Sequence, residues 1–189
     1  MSRSLIFWMG LVASILAGIY GLYINRPIIY IPYGLINPAL FILLTRTNAF
    51  SPIRKKLELL GAFALLLNIP GTLYLHSLPI QYDIPLHFFI GWIVFEGLSL
   101  IFPILFKRKI GYPILVGTVF LGGLLFEGFQ NGLDILVGTN LATDLIQPKW
   151  LDFLFDITMN ALGALAGAFI KTASKPASSQ SEPTYRDHA

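Results

Sequence analysis

The 189-residue sequence contains no cysteine and few charged residues. The absence of cysteine excludes disulfides, thiolate metal sites and cysteine nucleophiles. Charged residues make up 12% of the chain, about half the share of a typical soluble domain, whereas 55% of the residues are hydrophobic. The mean hydropathy is +0.70. This composition predicts an integral membrane protein.

Several common catalytic motifs are also missing from the sequence. It has no H-E-x-x-H, no G-x-S-x-G and no P-loop, and no nucleophile has an obvious base partner. The basic residues are divided among short segments instead of forming a patch, which argues against a nucleic-acid partner. The lipid bilayer is therefore the one partner that the composition indicates directly.

Apolar segments along the chain predict an all-α, polytopic helical bundle with about six transmembrane helices. A membrane-spanning helix needs about 20 mostly apolar residues. No small-x-small cleavage site follows the first segment, so we interpret it as an uncleaved span and not as a signal peptide. Residues 68–71 are expected to bend or shorten the third span. The predicted spans are residues 5–23, 28–44, 57–77, 84–106, 111–138 and 150–171.

The basic residues predict the orientation of this bundle. With six spans, all thirteen Lys and Arg residues except Arg26 and Lys149 fall on one side of the membrane. The positive-inside rule then places both termini in the cytoplasm. We predict a transmembrane domain over residues 1–172 and a disordered cytoplasmic tail over 173–189, which is rich in Ser, Pro and Ala. The expected location is a bacterial-type plasma membrane, with several passes.

Polar residues on the last three spans are expected at similar depth, near the extracytoplasmic surface. Within each span their spacing of three or four places them on one helix face. Because lipid solvates charged groups badly, such faces usually turn towards the bundle interior, so we expect a polar pocket there. The residues are Asp83 and His87 on the fourth span, Glu127, Gln130, Asn131 and Asp134 on the fifth, and Asp152, Asp156 and Asn160 on the sixth.

Roles follow from depth and chemistry. Glu127, Asp156 and His87 lie a turn or more inside their spans, which makes them the candidate catalytic acid/base groups. Together with Asp83 they are also candidate metal ligands, since mixed His and carboxylate sets suit Zn²⁺ or Mn²⁺ and carboxylates alone suit Mg²⁺ or Ca²⁺. The candidate binding residues are Asp83, Gln130, Asn131, Asp152 and Asn160.

The same features also have structural explanations. Carboxylates near helix ends, such as Asp83 and Asp152, often reach the interface or complement the helix dipole. Gly163 and Gly167 form a small-xxx-small row, which is typical of close helix packing. Glu96 lies deeper and on a different face, where we interpret it as a separate hydrogen-bonded residue.

Three motifs between roughly residues 80 and 170 resemble the VanZ-like family and related uncharacterised YjdF-like membrane proteins. The family often has Lys after its first Asp, where Ile84 stands here, and an Arg before its last Asp, where this chain offers only Lys149. The motifs are D-x-x-x-H at Asp83 and His87, E-x-x-Q at Glu127 and Gln130, and D-x-x-x-N-x-x-G-x-x-x-G at Asp156, Asn160, Gly163 and Gly167, with Asp152 forming a D-x-x-x-D pair.

The resemblance implies a small membrane protein of the cell envelope. The namesake of the family is associated with low-level resistance to the glycopeptide teicoplanin, and the family's biochemical activity is not established. Our first hypothesis is an extracytoplasmic acidic pocket that binds or processes an envelope lipid or a glycopeptide-related amphiphile, with a divalent cation as candidate cofactor.

Two alternatives stay open. A proton- or cation-coupled transporter would need polar residues that continue to the inner side, for which Glu96 and Asn68 are the candidates. A structural or accessory membrane subunit would use the polar residues only to fix helix packing. The sequence decides neither whether the protein is an enzyme nor its oligomeric state.

Overall fold

The computed structural model describes residues 5–23, 35–73, 82–137 and 149–174. These residues form an all-helical structure, as predicted. A short 3₁₀ helix, Asn48–Ile53, joins the second helix to the third. The α-helices are α1 (Leu5–Tyr23), α2 (Asn37–Arg46), α3 (Arg54–Leu73), α4 (Asp83–Phe106), α5 (Tyr112–Val137) and α6 (Lys149–Ala173).

Three helices in the described part of the chain are long and apolar enough to cross a membrane, and they match the last three predicted spans. Within α1, Leu5–Tyr20 is a shorter apolar segment. The start of the second predicted span and the end of the third lie outside the described residues, as does almost all of the predicted tail. The three long segments are Asp83–Phe106, Tyr112–Gly132 and Trp150–Ala173.

Local sequence explains where the long helices begin and end. Asp83 lies in the first turn of α4 and Asp152 in the first turn of α6, where a carboxylate complements the positive end of the helix dipole. Lys171 lies in the last turn of α6, where a cation is favoured. Lys107 ends α4 in a left-handed conformation with φ 52° and ψ 27°. Residues 68–71 do not end α3, which continues to Leu73.

The helices pack as two groups. In the first group α1 packs on α3, with α2 beside it; in the second, α6 contacts both α4 and α5. The contact between α3 and α4 joins the groups. Each group has its own apolar core, formed by Phe7, Leu11, Phe41 and Leu65 in the first and by Phe95, Leu115, Val119 and Ala164 in the second.

The most extensive helix contact joins α4 to α6, and glycine makes it possible. A Cβ atom on Gly163 would overlap the Phe88 carbonyl oxygen, and one on Gly91 would overlap the Asn160 carbonyl oxygen. Further along α6, Gly167 lies against aromatic side chains of α4. Residues later in α4 contact residues later in α6, so the two helices run parallel, with their backbones in direct contact.

An ion pair joins the last turn of α6 to the middle of α4. The Lys171 ammonium lies 2.9 Å from the Glu96 carboxylate, and both side chains are about three-quarters buried. Glu96 was expected to be a separate hydrogen-bonded residue, and this interaction identifies its partner. The ion pair is well separated from the residues at the beginning of α4, because Glu96 lies 13 positions, or about 20 Å, beyond Asp83.

Candidate binding cavity and acidic cluster

A cavity of about 700 Å³ lies between α2, α3, α4, α5 and α6. Its volume is in the range of small-molecule binding sites. At one end, where α4 and α6 begin, the lining is polar, and Asn37 of α2 and Asn68 of α3 belong to the lining as well. The polar residues contributed by the last three helices are Asp83, His87, Glu127, Gln130, Asp152, Asp156 and Asn160, with Thr118 nearer the beginning of α5.

We call five of these residues the acidic cluster: Asp83, His87, Glu127, Asp152 and Asp156. Three of its carboxylate residues are almost completely buried, with exposed fractions of 2% for Glu127, 5% for Asp152 and 5% for Asp156. No Lys or Arg is found among the described residues that line the cavity. Four carboxylates and one imidazole therefore share a largely buried space, where an uncompensated charge is costly.

His87 lies at the centre of the cluster. Its Nε2 atom is 3.5 Å from Oδ1 of Asp83 and also 3.5 Å from Oδ1 of Asp156. On the other side of the ring, the Asn160 amide Nδ2 is 3.0 Å from Nδ1. With the amide as donor, Nδ1 accepts and Nε2 carries the ring proton towards the two carboxylates. His87 thus connects the first turns of α4 to the beginning of α6.

Asn160 fits between two helices because glycines face it from both sides. Its backbone carbonyl packs on Gly91 of α4. A Cβ on Gly123 of α5 would lie 3.3 Å from its amide nitrogen. Asn160 is 7% exposed. The side chain that orients His87 is therefore held in position by close backbone packing, a feature that sequence spacing alone does not reveal.

The polar residues of α5 have different environments. Glu127 and Gln130 line the cavity, but Asn131 is not among its lining residues. The Asn131 amide donates instead to the backbone carbonyl of Glu127 at 2.9 Å. This local interaction gives Asn131 a structural role on its own helix. Asp134 lies in α5, and its side chain is outside the described part of the chain.

Three members of the acidic cluster have the geometry of a metal-binding group. One ligand atom from each of Asp83, His87 and Asp156 lies within 4.8 Å of the other two. Of the four candidate ligands expected from the sequence, Glu127 is outside this group but lines the same cavity. Such a set of two carboxylates and one imidazole suits Zn²⁺ or Mn²⁺.

The rest of the cavity has an apolar wall that was not expected from the sequence. From His87 to Leu98 the lining of α4 extends for about 16 Å along the helix. Several wall residues keep more than two-fifths of their surface exposed, including Leu40 at 53% and Phe126 at 48%. Apolar residues are ordinary in a membrane helix, so nothing in the sequence distinguished this wall, formed by Leu40, Leu44, Ile90, Val94, Leu98 and Phe126.

The helices and the composition define an integral membrane protein, here with a cavity that is acidic at one end. The model of the family described as "Predicted membrane protein (DUF2238)" matches residues 3–175, and the chain belongs to this family. The match supports a membrane family without identifying it as VanZ-like. No curated protein and no solved structure matches the chain.

Proposed function

We propose that the protein binds a membrane amphiphile in this cavity, with the polar headgroup against the acidic cluster and the apolar chain along the wall. The observation that supports the proposal is the combination of a polar end and a long apolar wall in one cavity of about 700 Å³. In the orientation favoured by the basic residues, the headgroup end faces the extracytoplasmic side.

The lining favours a headgroup rich in hydrogen-bond donors. Carboxylates accept hydrogen bonds, and the Gln130 amide adds a group that both donates and accepts. Hydroxyl groups of a saccharide or amide groups of a peptide meet these requirements. An envelope amphiphile with a saccharide or peptide headgroup is therefore the proposed ligand class, in line with the resemblance of the three motifs to VanZ-like proteins.

The same site supports a processing role as an extension of binding. Glu127, Asp156 and His87 all line the headgroup end, where they are positioned to move protons on a bound headgroup. Binding comes first in this proposal, since the cavity walls support it without any assumption about the reaction.

Transport is less well supported by the placement of polar groups. Asn68, one of the two residues expected on a transport path, lines the polar end of the cavity itself. The other, Glu96, does not line the cavity and forms the ion pair with Lys171. Away from the acidic cluster the polar lining of α5 is Thr118, whose hydroxyl donates to the Ile114 carbonyl of its own helix. The described residues therefore support a binding cavity better than a continuous polar path.

The test is to identify lipids that copurify with the protein. The wild type and the variants Glu127→Gln and Asp156→Asn are purified from the same membranes, and bound lipids are identified by mass spectrometry. We expect one class of amphiphile to be enriched in the wild type and reduced at least tenfold in both variants. Glu96→Gln, which changes a carboxylate away from the cavity, is the matched control and should retain the lipid. Identical lipid contents in all four proteins would refute the proposal.

A further inference from the structure

The acidic cluster contains a buried carboxylate, Glu127, that lies near one imidazole and two further carboxylates. Glu127 is 2% exposed and lines the cavity. The nearby Asn131 amide bonds to a backbone carbonyl, and the charged groups that act on the Glu127 carboxylate are His87, Asp83 and Asp152. A buried carboxylate among like charges is costly unless it is protonated or a positive charge lies nearby. A cation bound at His87 would supply such a charge.

The distances around His87 are those expected for ligands of one metal ion. The two contacts of Nε2 with carboxylate oxygens are 3.5 Å long, beyond the usual range of N–H···O hydrogen bonds. Ligand atoms about 2.1 Å from a tetrahedral ion lie about 3.4 Å from one another. The distances from the imidazole to the two carboxylates therefore also fit neighbours in one coordination shell.

The surroundings of His87 are also those of a metal ligand. The ring of a ligating histidine is usually held by a hydrogen bond to its other nitrogen. Asn160 supplies that contact at 3.0 Å from Nδ1. When Nε2 binds a cation, Nδ1 carries the proton, and the Asn160 amide accepts it through its oxygen after a flip that exchanges its two polar atoms.

We propose that Asp83, His87 and Asp156 bind one divalent cation, of the Zn²⁺ or Mn²⁺ class. Three protein ligands leave a coordination position open, and the ligands line the cavity, so that position is available to a water molecule or a bound headgroup. The cation would place a positive charge among the carboxylates of the cluster. This proposal does not depend on the amphiphile and is tested without it.

The experiment measures metal binding by purified protein in detergent, with an affinity tag that contains no histidine. Metal-free protein is incubated separately with Zn²⁺, Mn²⁺ and Mg²⁺, and bound metal is measured by elemental analysis after gel filtration. We expect one Zn²⁺ or Mn²⁺ ion per chain in the wild type. Binding should be lost in Asp156→Asn and His87→Ala and retained in the control Glu96→Gln.

Two further measurements keep the proposal falsifiable if His87→Ala fails to fold. The near-isosteric Asp156→Asn variant tests the site with little change in volume. Asn160→Ala should weaken the affinity by about tenfold without changing the stoichiometry, as expected for a residue that orients a ligand. Absence of stoichiometric binding by the wild type, or equal affinity in the wild type and Asp156→Asn, would overturn the proposal.

Discussion

The two ends of the contact between α4 and α6 differ in the charged residues that they bring together. At one end Glu96 and Lys171 form an ion pair of 2.9 Å, so each charge has a partner of opposite sign. At the other end four carboxylates and one imidazole line the cavity, and no described Lys or Arg lines it. The same pair of parallel helices thus carries an ion pair of opposite charges at one end and a cluster rich in carboxylates at the other.

This difference separates helix packing from ligand binding. The Glu96–Lys171 pair satisfies its own charges, so a structural role accounts for it fully. The acidic cluster brings four carboxylates and one imidazole together, and it adjoins a cavity. A purely structural role does not require a cavity, which is why we propose the binding site there.

The largest change in stability is expected from a substitution at the backbone contact between α4 and α6. Gly163→Val places side-chain atoms on the Phe88 carbonyl, where backbone of α4 cannot move aside. We expect a loss of stability of about 3 kcal/mol or more, measured by unfolding in detergent. Gly97→Ala on α4 is the control, because its new Cβ would meet nothing within 4 Å. Equal stability of the two variants would show that the close approach of α4 and α6 is not required.

The second-largest change in stability is expected at the Glu96–Lys171 ion pair. Glu96→Gln leaves the Lys171 ammonium without its anionic partner and should reduce stability by about 1.5–3 kcal/mol, since both side chains are mostly buried. The double variant Glu96→Gln, Lys171→Met should be more stable than the sum of the single changes predicts. Strictly additive losses would contradict an energetic coupling between the two residues.

At the acidic cluster, replacing a carboxylate should raise the stability of the protein instead of lowering it. Glu127→Gln replaces a buried carboxyl group that lies near other carboxylates with a neutral amide, so in metal-free buffer we expect an increase in stability of up to about 1 kcal/mol. The measurement is the same unfolding experiment with a chelator present. A loss of stability as large as that of Glu96→Gln would mean that the Glu127 carboxylate is satisfied by the protein, and the comparison between the two ends would fail.

The smallest effect is expected for a polar residue beside the cluster. Asn131→Ala removes an amide that bonds to its own helix and does not line the cavity. Stability should change by no more than about 0.5 kcal/mol, and metal binding should equal that of the wild type. A marked loss of metal affinity in this variant would extend the site beyond the residues that we assign to it.

Particular residues show how far sequence reasoning reaches. The pairing of Asp83 with His87 on one helix face follows from their spacing of four, because helix geometry is local. The contact between His87 and Asn160 spans 73 positions and depends on how α4 packs against α6. The role of Asn131 could not be predicted, since a side chain that bonds to its own helix has the same spacing as one that faces a cavity. The ion pair of Glu96 depends on the same packing.

The sequence by itself determined the membrane class, the all-helical fold and the faces on which polar residues lie. These properties follow from hydropathy and from the helical repeat, which act along the chain. Only the tertiary structure decided that α4 and α6 run parallel in backbone contact at Gly91 and Gly163. That contact brings His87 between Asp83 and Asp156, next to the apolar wall of the cavity. Segments that are distant in sequence meet through helix packing, which residue spacing does not determine.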